Sequence, residues 1–565
     1  MIKQRLGISL LIAGLMVLIV LPVVLGGRME TVPDGGQVLV IVTPHNEQIR
    51  TEFAEAFDRW HLETHGEHAH VAWSVPGGTS EIRAMLESQW IASLDRGETP
   101  GGFADLVFGG GSYEHGRLRQ GVDLRFKALP RQAAHDRIAP LLGDTQTTHL
   151  LALATANHTA SAHSGHVTAM AESEGDLFDV TLSASVSVPA DIDLDTLPSV
   201  YGRETVGGVR LWDSDGYWFG TALSSFGLIA NTDEFQRLQI DLPEAWADLA
   251  DPRLIGLVSL VNPAQSGSVT TAFETLLGHL GWERGWQVLR RAAANARTIS
   301  ASSLRGPMDV AAGDAAVGVC IDFFGRAQSQ ALADQGVPNR IRYIDPVGQT
   351  TIDPDPVSML ADPPNVELAT RFIAFTLTDE AQALWQLPPS DEGPGPRHFA
   401  LRRIPITDAA WAAFGTGFMD ADARPGHIDP PAFADRSTRA FIAPLLSAMA
   451  LDQREALTGA WRRIVSHPAY PHGVGLVTAA DVEDPELHAM LQAFDAMPVL
   501  PTPDGVGCSL DAAADRATIK SGWLRDEWRD DNLWNPEQRG LDAFRREAGR
   551  FFRQQYATVR SGGGA

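Results

Sequence analysis

The chain alternates short apolar runs with longer segments in which apolar residues return every three or four positions. Val38-Leu39-Val40-Ile41-Val42 reads as a strand that stops at Thr43-Pro44-His45-Asn46. From Glu47 to about Glu63, Ile49, Phe53, Phe57 and Trp60 fall at helical spacing. A second strand, Val71-Ala72-Trp73-Ser74-Val75, stops at Pro76-Gly77-Gly78-Thr79-Ser80. The next helix carries Ile82, Met85, Leu86 and Trp90 on one face. Ala104-Asp105-Leu106-Val107-Phe108 is a third strand, closed by Gly109-Gly110-Gly111-Ser112. Strands alternating with helices predict an α/β fold with a parallel sheet covered on both faces. Ligands of such sheets sit beyond the carboxyl ends of the strands. His45, Asn46, Thr79, Ser80, Gly110 and Ser112 stand at those ends and are candidate ligand contacts.

A fourth junction, Asn262-Pro263-Ala264-Gln265-Ser266-Gly267-Ser268, lies between an apolar run and a long amphipathic segment. First-turn N–H groups have no intrahelical partner and sit at the positive end of the helix dipole. Ser266, Gly267 and Ser268 can therefore hold an anion, with Thr79 and Ser80 opposing them. The plainer reading is that the serine is an N-cap.

Leu6 to Leu25 runs without a charge behind Lys3 and Arg5, which reads as a signal anchor or a cleaved signal peptide within residues 1–27. The basic start places the rest of the chain outside the cytoplasm, in a periplasmic or extracytoplasmic setting. With 45 basic against 70 acidic residues the net charge is −25, which excludes nucleic acid and anionic lipid as partners. Two distant cysteines, Cys320 and Cys508, exclude a disulfide scaffold and a cysteine-based zinc site. Buried free thiols are expected.

The order of several segments carries a resemblance. Ala222-Leu223-Ser224-Ser225-Phe226-Gly227-Leu228-Ile229-Ala230-Asn231 is followed by Leu242-Pro243-Glu244-Ala245-Trp246-Ala247-Asp248-Leu249, Asp251-Pro252 and the Asn262–Ser268 turn. Then come Gly313-Asp314-Ala315-Ala316-Val317-Gly318, Asp345-Pro346-Val347-Gly348 and Asn365-Val366-Glu367-Leu368-Ala369. Together they resemble the family-1 extracellular solute-binding proteins of ABC importers, in the branch of ferric-ion, thiamine and aminophosphonate binders. The resemblance covers residues 37 to about 390 and is weakest from 126 to 205.

It implies a two-lobed type II periplasmic-binding fold that captures a solute between its lobes and delivers it to an ABC permease. Lobe one is expected at 37–130 and 305–390, and lobe two at 131–304, with an insertion near 126–205. Residues 391–565 read as a mostly helical extension packed on lobe one, ending in a disordered tail. Ferric-binding relatives use two adjacent tyrosines where this chain has Asp322-Phe323-Phe324-Gly325, and phenyl rings offer a hard cation no oxygen. Asp322 reads as a ligand acceptor or a helix cap, and Phe324 as an aromatic wall of the cleft or as core. Ser224 joins the candidates on the resembling segment. Ser302, Ser303 and Arg305 join them where the chain is expected to recross.

The cargo read from these turns is a small anion: a phosphonate, a phosphate ester or a carboxylate. The alternative is a metal ion held by His61, His65, His68 and His70, of which the first two share a helix face. Gly-x-Ser-x-Gly, His-Glu-x-x-His and the Walker loop do not occur. The expected protein is a monomeric binder without a cofactor, rather than an enzyme. An envelope sensor receptor and an exported hydrolase are the other classes carried.

Overall fold

The computed structural model describes residues 37–426, 432–433, 435, 437–473, 475–525 and 535–563. The apolar N-terminal run lies outside them. Among the described residues no helix is long and apolar enough to cross a membrane. The chain opens with β1 (Gln37–Val42), α1 (Glu47–His65), β2 (Ala69–Ser74), α2 (Thr79–Arg96), β3 (Leu106–Phe108) and α3 (Ser112–Gln120). The three strands pair in parallel with β1 in the middle. Asn46 starts α1 by accepting from the Ile49 N–H, and Gly66 ends it in the left-handed conformation.

An appendage follows: β4 (Val122–Pro130), α4 (Arg131–Leu142), α5 (Asp144–Asn157), β5 (Thr159–Ser164), β6 (Val167–Glu174) and β7 (Leu177–Ala184). Its antiparallel strands run in the order β4-β7-β6-β5. Alternate residues Val167, Ala169 and Ala171 share a core with Leu86 and Trp90 of α2. Full burial of a valine or leucine side chain contributes about 1.5–3 kcal/mol, and an alanine methyl less. The appendage therefore belongs with lobe one, and the expected start of lobe two at residue 131 is too early.

The crossing is β8 (Phe219–Asn231), thirteen residues long and buried throughout. Then come β9 (Val258–Val261), α6 (Gly267–Leu280), α7 (Trp282–Asn295), β10 (Ala296–Ser300), α8 (Arg305–Ala312), β11 (Val317–Ile321), α9 (Asp322–Asp334) and β12 (Ile341–Ile344). The return is β13 (Ile352–Leu360), followed by α10 (Val366–Thr376) and α11 (Asp379–Leu384). The sheet order is β10-β9-β11-β8-β13-β3-β1-β2, with β12 beside β8. The chain thus adopts the two-lobed type II fold that the resemblance implies. Residues 305–344, expected in lobe one, pair with lobe-two strands instead.

The sheet is mixed rather than wholly parallel: β8 is antiparallel to both β11 and β13, and β13 is antiparallel to β3. The reason is topological. Each crossing strand enters its sheet from the other lobe, without the helical crossover that parallel pairing needs.

The helical extension contains α12 (Thr438–Leu446), α13 (Arg454–Val465), α14 (Pro485–Asp495) and α15 (Leu541–Arg560). The start of the extension, with Leu401, Ile404, Ile406, Trp411 and Phe418, joins the lobe-one core as expected. Helices α12 to α15 pack on lobe two rather than on lobe one: Phe441, Trp461, Phe494 and Phe552 share one core with Leu260, Phe273 and Trp286. Two arginines of α7 fix this placement. Arg291 pairs with Asp495 at 2.6 and 2.9 Å and donates to the Val477 carbonyl at 2.7 Å. Arg290 donates to the Phe494 carbonyl and, at 3.1 Å, to that of Ala496. Buried guanidinium groups demand such acceptors. The tail expected to be disordered is ordered as far as Gly563, whose N–H donates to the Thr558 carbonyl at 3.0 Å. Residues 526–534, with Trp528, Leu533 and Trp534, lie outside the described residues.

Candidate functional site

A cavity of about 350 Å³ lies between the lobes, where β1, β2, β3 and β9 end. Its wall on lobe one is made by His45 and Asn46 at the start of α1, Thr79 at the start of α2, and Gly110. On lobe two it is made by Ser266, Gly267 and Ser268, which start α6, and by Ser302 and Ser303. Ser266 is an N-cap and also lines the cavity. It caps α6 through the Val269 N–H, and its Oγ lies 2.7 Å from Ser303 Oγ within the cavity wall.

The two helix starts face each other closely. A Cβ added to Gly267 would fall against Thr79 Oγ1, and one on Gly78 would come within 3.1 Å of the Gln265 carbonyl oxygen. The lobes are therefore closed on one another. First-turn N–H groups of α2 and α6 are left without intrahelical acceptors at this junction.

The floor is a charge network that the sequence reading missed. Asp353 and Asp355 project from alternate positions of β13 toward the start of α3. Asp355 accepts from the Gly110 N–H at 2.7 Å and from Arg403 Nη1 at 2.6 Å, and lies 2.8 Å from His45 Nε2. Arg403 also donates to Ser224 Oγ at 2.6 Å and stacks over Phe323 at 4.4 Å. Burial pushes the Asp355 carboxyl up, but Arg403, His45 and the Gly110 N–H outweigh it and hold it at about 2. Burial lowers the His45 imidazole below its ordinary value, against the pull of Asp355. Asp353 accepts from Ser112 Oγ at 2.6 Å, yet burial raises it to about 6.

Four candidates sit elsewhere. Ser80 donates to Glu114 at 3.3 Å and is not part of the cavity wall. Ser112 serves Asp353 and lines an adjoining cavity. Asp322 is fully buried behind the wall, with Arg326 Nη1 3.9 Å away, whereas Phe324 does line the cavity. Arg305 is a surface ion pair with Asp309 at 2.6 Å. The histidine segment lies apart from the cavity: His61 faces the Glu67 carbonyl at 2.7 Å and Arg371 at 3.0 Å, and His68 faces Asp58. Among the described residues no group of three or more His, Cys, Asp or Glu is placed to hold a metal ion. Cys320 and Cys508 are buried free thiols.

Asp322 gives a test of the local electrostatics. Burial raises its carboxyl from 3.8 to about 6, against Arg326 and Arg403. A raised carboxyl favours folding most below pH 3.8, and that contribution is lost as pH rises through about 6. Asp322→Asn is therefore expected to raise the melting temperature at pH 8, with the gain shrinking at pH 5 and gone below pH 4. An equal gain at every pH would show that the carboxyl is not desolvated.

Residues 203–388 match the family of bacterial extracellular solute-binding proteins. The matched segment runs from before β8 through α11 and carries Ser224, Ser266, Ser302, Phe324, Asp353 and Asp355 of the site. Among curated proteins, an uncharacterized protein of Haemophilus influenzae is 29% identical over 160 residues, 28% of this chain and 44% of that protein. The phosphoglycerate transport regulatory protein PgtC of Salmonella typhimurium is 26% identical over 163 residues, 29% of this chain and 39% of its own length. The chain thus matches less than half the length of either relative. Among solved structures, the periplasmic binding protein AfuA of Actinobacillus pleuropneumoniae, with exogenous fructose-6-phosphate bound, has 15% identity and a TM-score of 0.42. The alignment covers 75% of this chain and 97% of AfuA. Iron-bound HitA of Pseudomonas aeruginosa has 16% identity and a TM-score of 0.38, covering 65% and 90%.

Proposed function

We propose that this chain is the exported solute-binding component of an ABC importer, and that it captures a phosphomonoester between its lobes on the outer side of the membrane. The observation that carries the reading is the convergence of the first turns of α2 and α6 on one interlobe cavity. Their N–H groups, with Thr79, Ser266 and Ser268, form a donor set suited to phosphate oxygens. At the floor Arg403 matches the Asp355 charge, so that carboxylate does not oppose an anion. The phosphoglycerate transport named for one relative supports the same class of cargo. Binding across the cleft stabilises the closed form, because only that form brings both helix starts to one anion.

The test is a thermal-shift series with phosphomonoesters, phosphonates, carboxylates, polyamines, thiamine, zinc and ferric ion. A ligand that binds the native state raises the melting temperature by mass action. Phosphomonoesters are expected to do so, and Ser266→Ala with Ser268→Ala is expected to remove most of the shift. The comparison is with the variant's own unliganded melting point, since loss of the Ser266 cap costs about 1 kcal/mol. A shift with zinc or ferric ion alone would overturn the anion reading. The word "regulatory" in the relative's name favours a second reading, a receptor for an envelope sensor. Reconstituted uptake with a permease separates the two, and turnover of a phosphomonoester would move the chain to the hydrolases.

A further inference from the structure

A second cavity of about 300 Å³ adjoins the first, and part of its wall comes from the C-terminal extension. Phe433, Asp435, Thr438 and Arg439 line it, opposite Val209 of lobe one and Thr275 of α6. Tyr113, Thr271, Asp353 and Arg439 line both cavities, so the two share a neck. Arg439 bridges that neck. It donates to Glu274 at 2.7 Å and Thr271 Oγ1 at 3.2 Å on lobe two. Its guanidinium lies over the Tyr113 ring at 4.0 Å and 3.7 Å from Glu114, both on lobe one.

We infer that the extension completes the ligand site, and that the cargo is an elongated solute with one anionic end and an uncharged tail. The inference rests on the phosphomonoester reading of the first cavity. Inorganic phosphate alone would leave most of that cavity and all of the second unfilled, since cavities of such size hold ligands of many heavy atoms. The second chamber is built for a neutral occupant. Its surfaces are the Phe433 ring, Val209 and threonine side chains. Of its carboxylates, Glu274 is matched by Arg439 at 2.7 Å and Asp435 by Arg516 at 2.9 Å, while Asp353 has no ion pair among the described residues. A second anionic group there would find no uncommitted cation and would face Asp353, because Arg439 is held by Glu274 and Glu114 and Arg516 by Asp435. Arg439 thereby has a distinct role at the neck: it neutralises the carboxylates beside which the anionic head must sit.

The full chain is titrated calorimetrically with inorganic phosphate, n-hexyl phosphate and 1,6-hexanediol bisphosphate. The hexyl ester is expected to bind at least about tenfold tighter than phosphate, because its methylene groups leave water. The bisphosphate is expected to bind more weakly than the hexyl ester. Val209→Phe, which fills the second chamber from the short hairpin of Thr205–Val206 and Val209–Arg210, is expected to collapse the ratio of hexyl to inorganic phosphate affinity toward one. Arg439→Gln is expected to weaken all three ligands while preserving the ratio, and its unliganded melting point verifies folding. Equal affinities for phosphate and hexyl phosphate would overturn the inference alone. So would a ratio untouched by Val209→Phe, or a bisphosphate that binds best. Failure of all three ligands to bind would overturn the phosphomonoester reading and this inference with it.

Discussion

Gly267→Val is expected to weaken phosphomonoester binding about a hundredfold, or about 2.7 kcal/mol, with little change in the unliganded melting point. Position 267 starts α6, and its backbone needs no unusual dihedral, so valine is tolerated by the helix itself. The cost arises across the cleft. A Cβ there meets Thr79 Oγ1, and Glu114 Oε1 lies at 3.2 Å, so the branched side chain has to hold the lobes apart. Opening separates the two helix starts that together make the donor set. Calorimetry reads the affinity, and small-angle scattering of the unliganded variant reads the opening as a larger radius of gyration. Undiminished affinity would mean that the facing turns do not form the site.

Arg403→Ala is expected to destabilise the protein by about 3–5 kcal/mol, the range for removing one partner of a buried ion pair. The side chain is 3% exposed, and it supplies Asp355 with its only arginine contact at 2.6 Å among the described residues. Its loss leaves a buried carboxylate facing a His45 ring that burial disfavours from protonating. The urea midpoint measures the effect. The double variant Arg403→Met, Asp355→Leu is expected to recover much of it, since an apolar pair leaves no unmatched charge. A loss below about 1 kcal/mol would place Arg403 with exposed pairs instead.

The local signals in the sequence were those that depend only on neighbours along the chain. The strands at 37–42 and 69–74 and the helices after Asn46 and Gly78 follow from apolar spacing and capping, and their turns do meet at one cavity. What the sequence did not reveal was pairing at long range. Asp353 and Asp355 lie in an Ile-Asp-Pro-Asp-Pro run whose two prolines argue against a central strand. Arg403 follows the region where the resemblance fades, so nothing along the chain linked it to His45, 358 positions earlier. The signal available was two arginines, Arg402 and Arg403, ahead of the short apolar pair Ile404-Pro405. The later helices of the extension were misplaced for a similar reason. Nothing beside Arg290 and Arg291 along the chain marks them as buried, and only the carbonyls and carboxylate of residues 477–496 explain their burial. Composition could not assign those partners.

The thirteen buried residues of β8 serve the cores of both lobes at once. Phe219, Ala222 and Leu223 pack in one core, while Phe226, Leu228 and Ala230 pack in the other. Neither lobe can melt without stripping that strand of half its neighbours. The strand that joins the two lobes is therefore also the part that makes them unfold together.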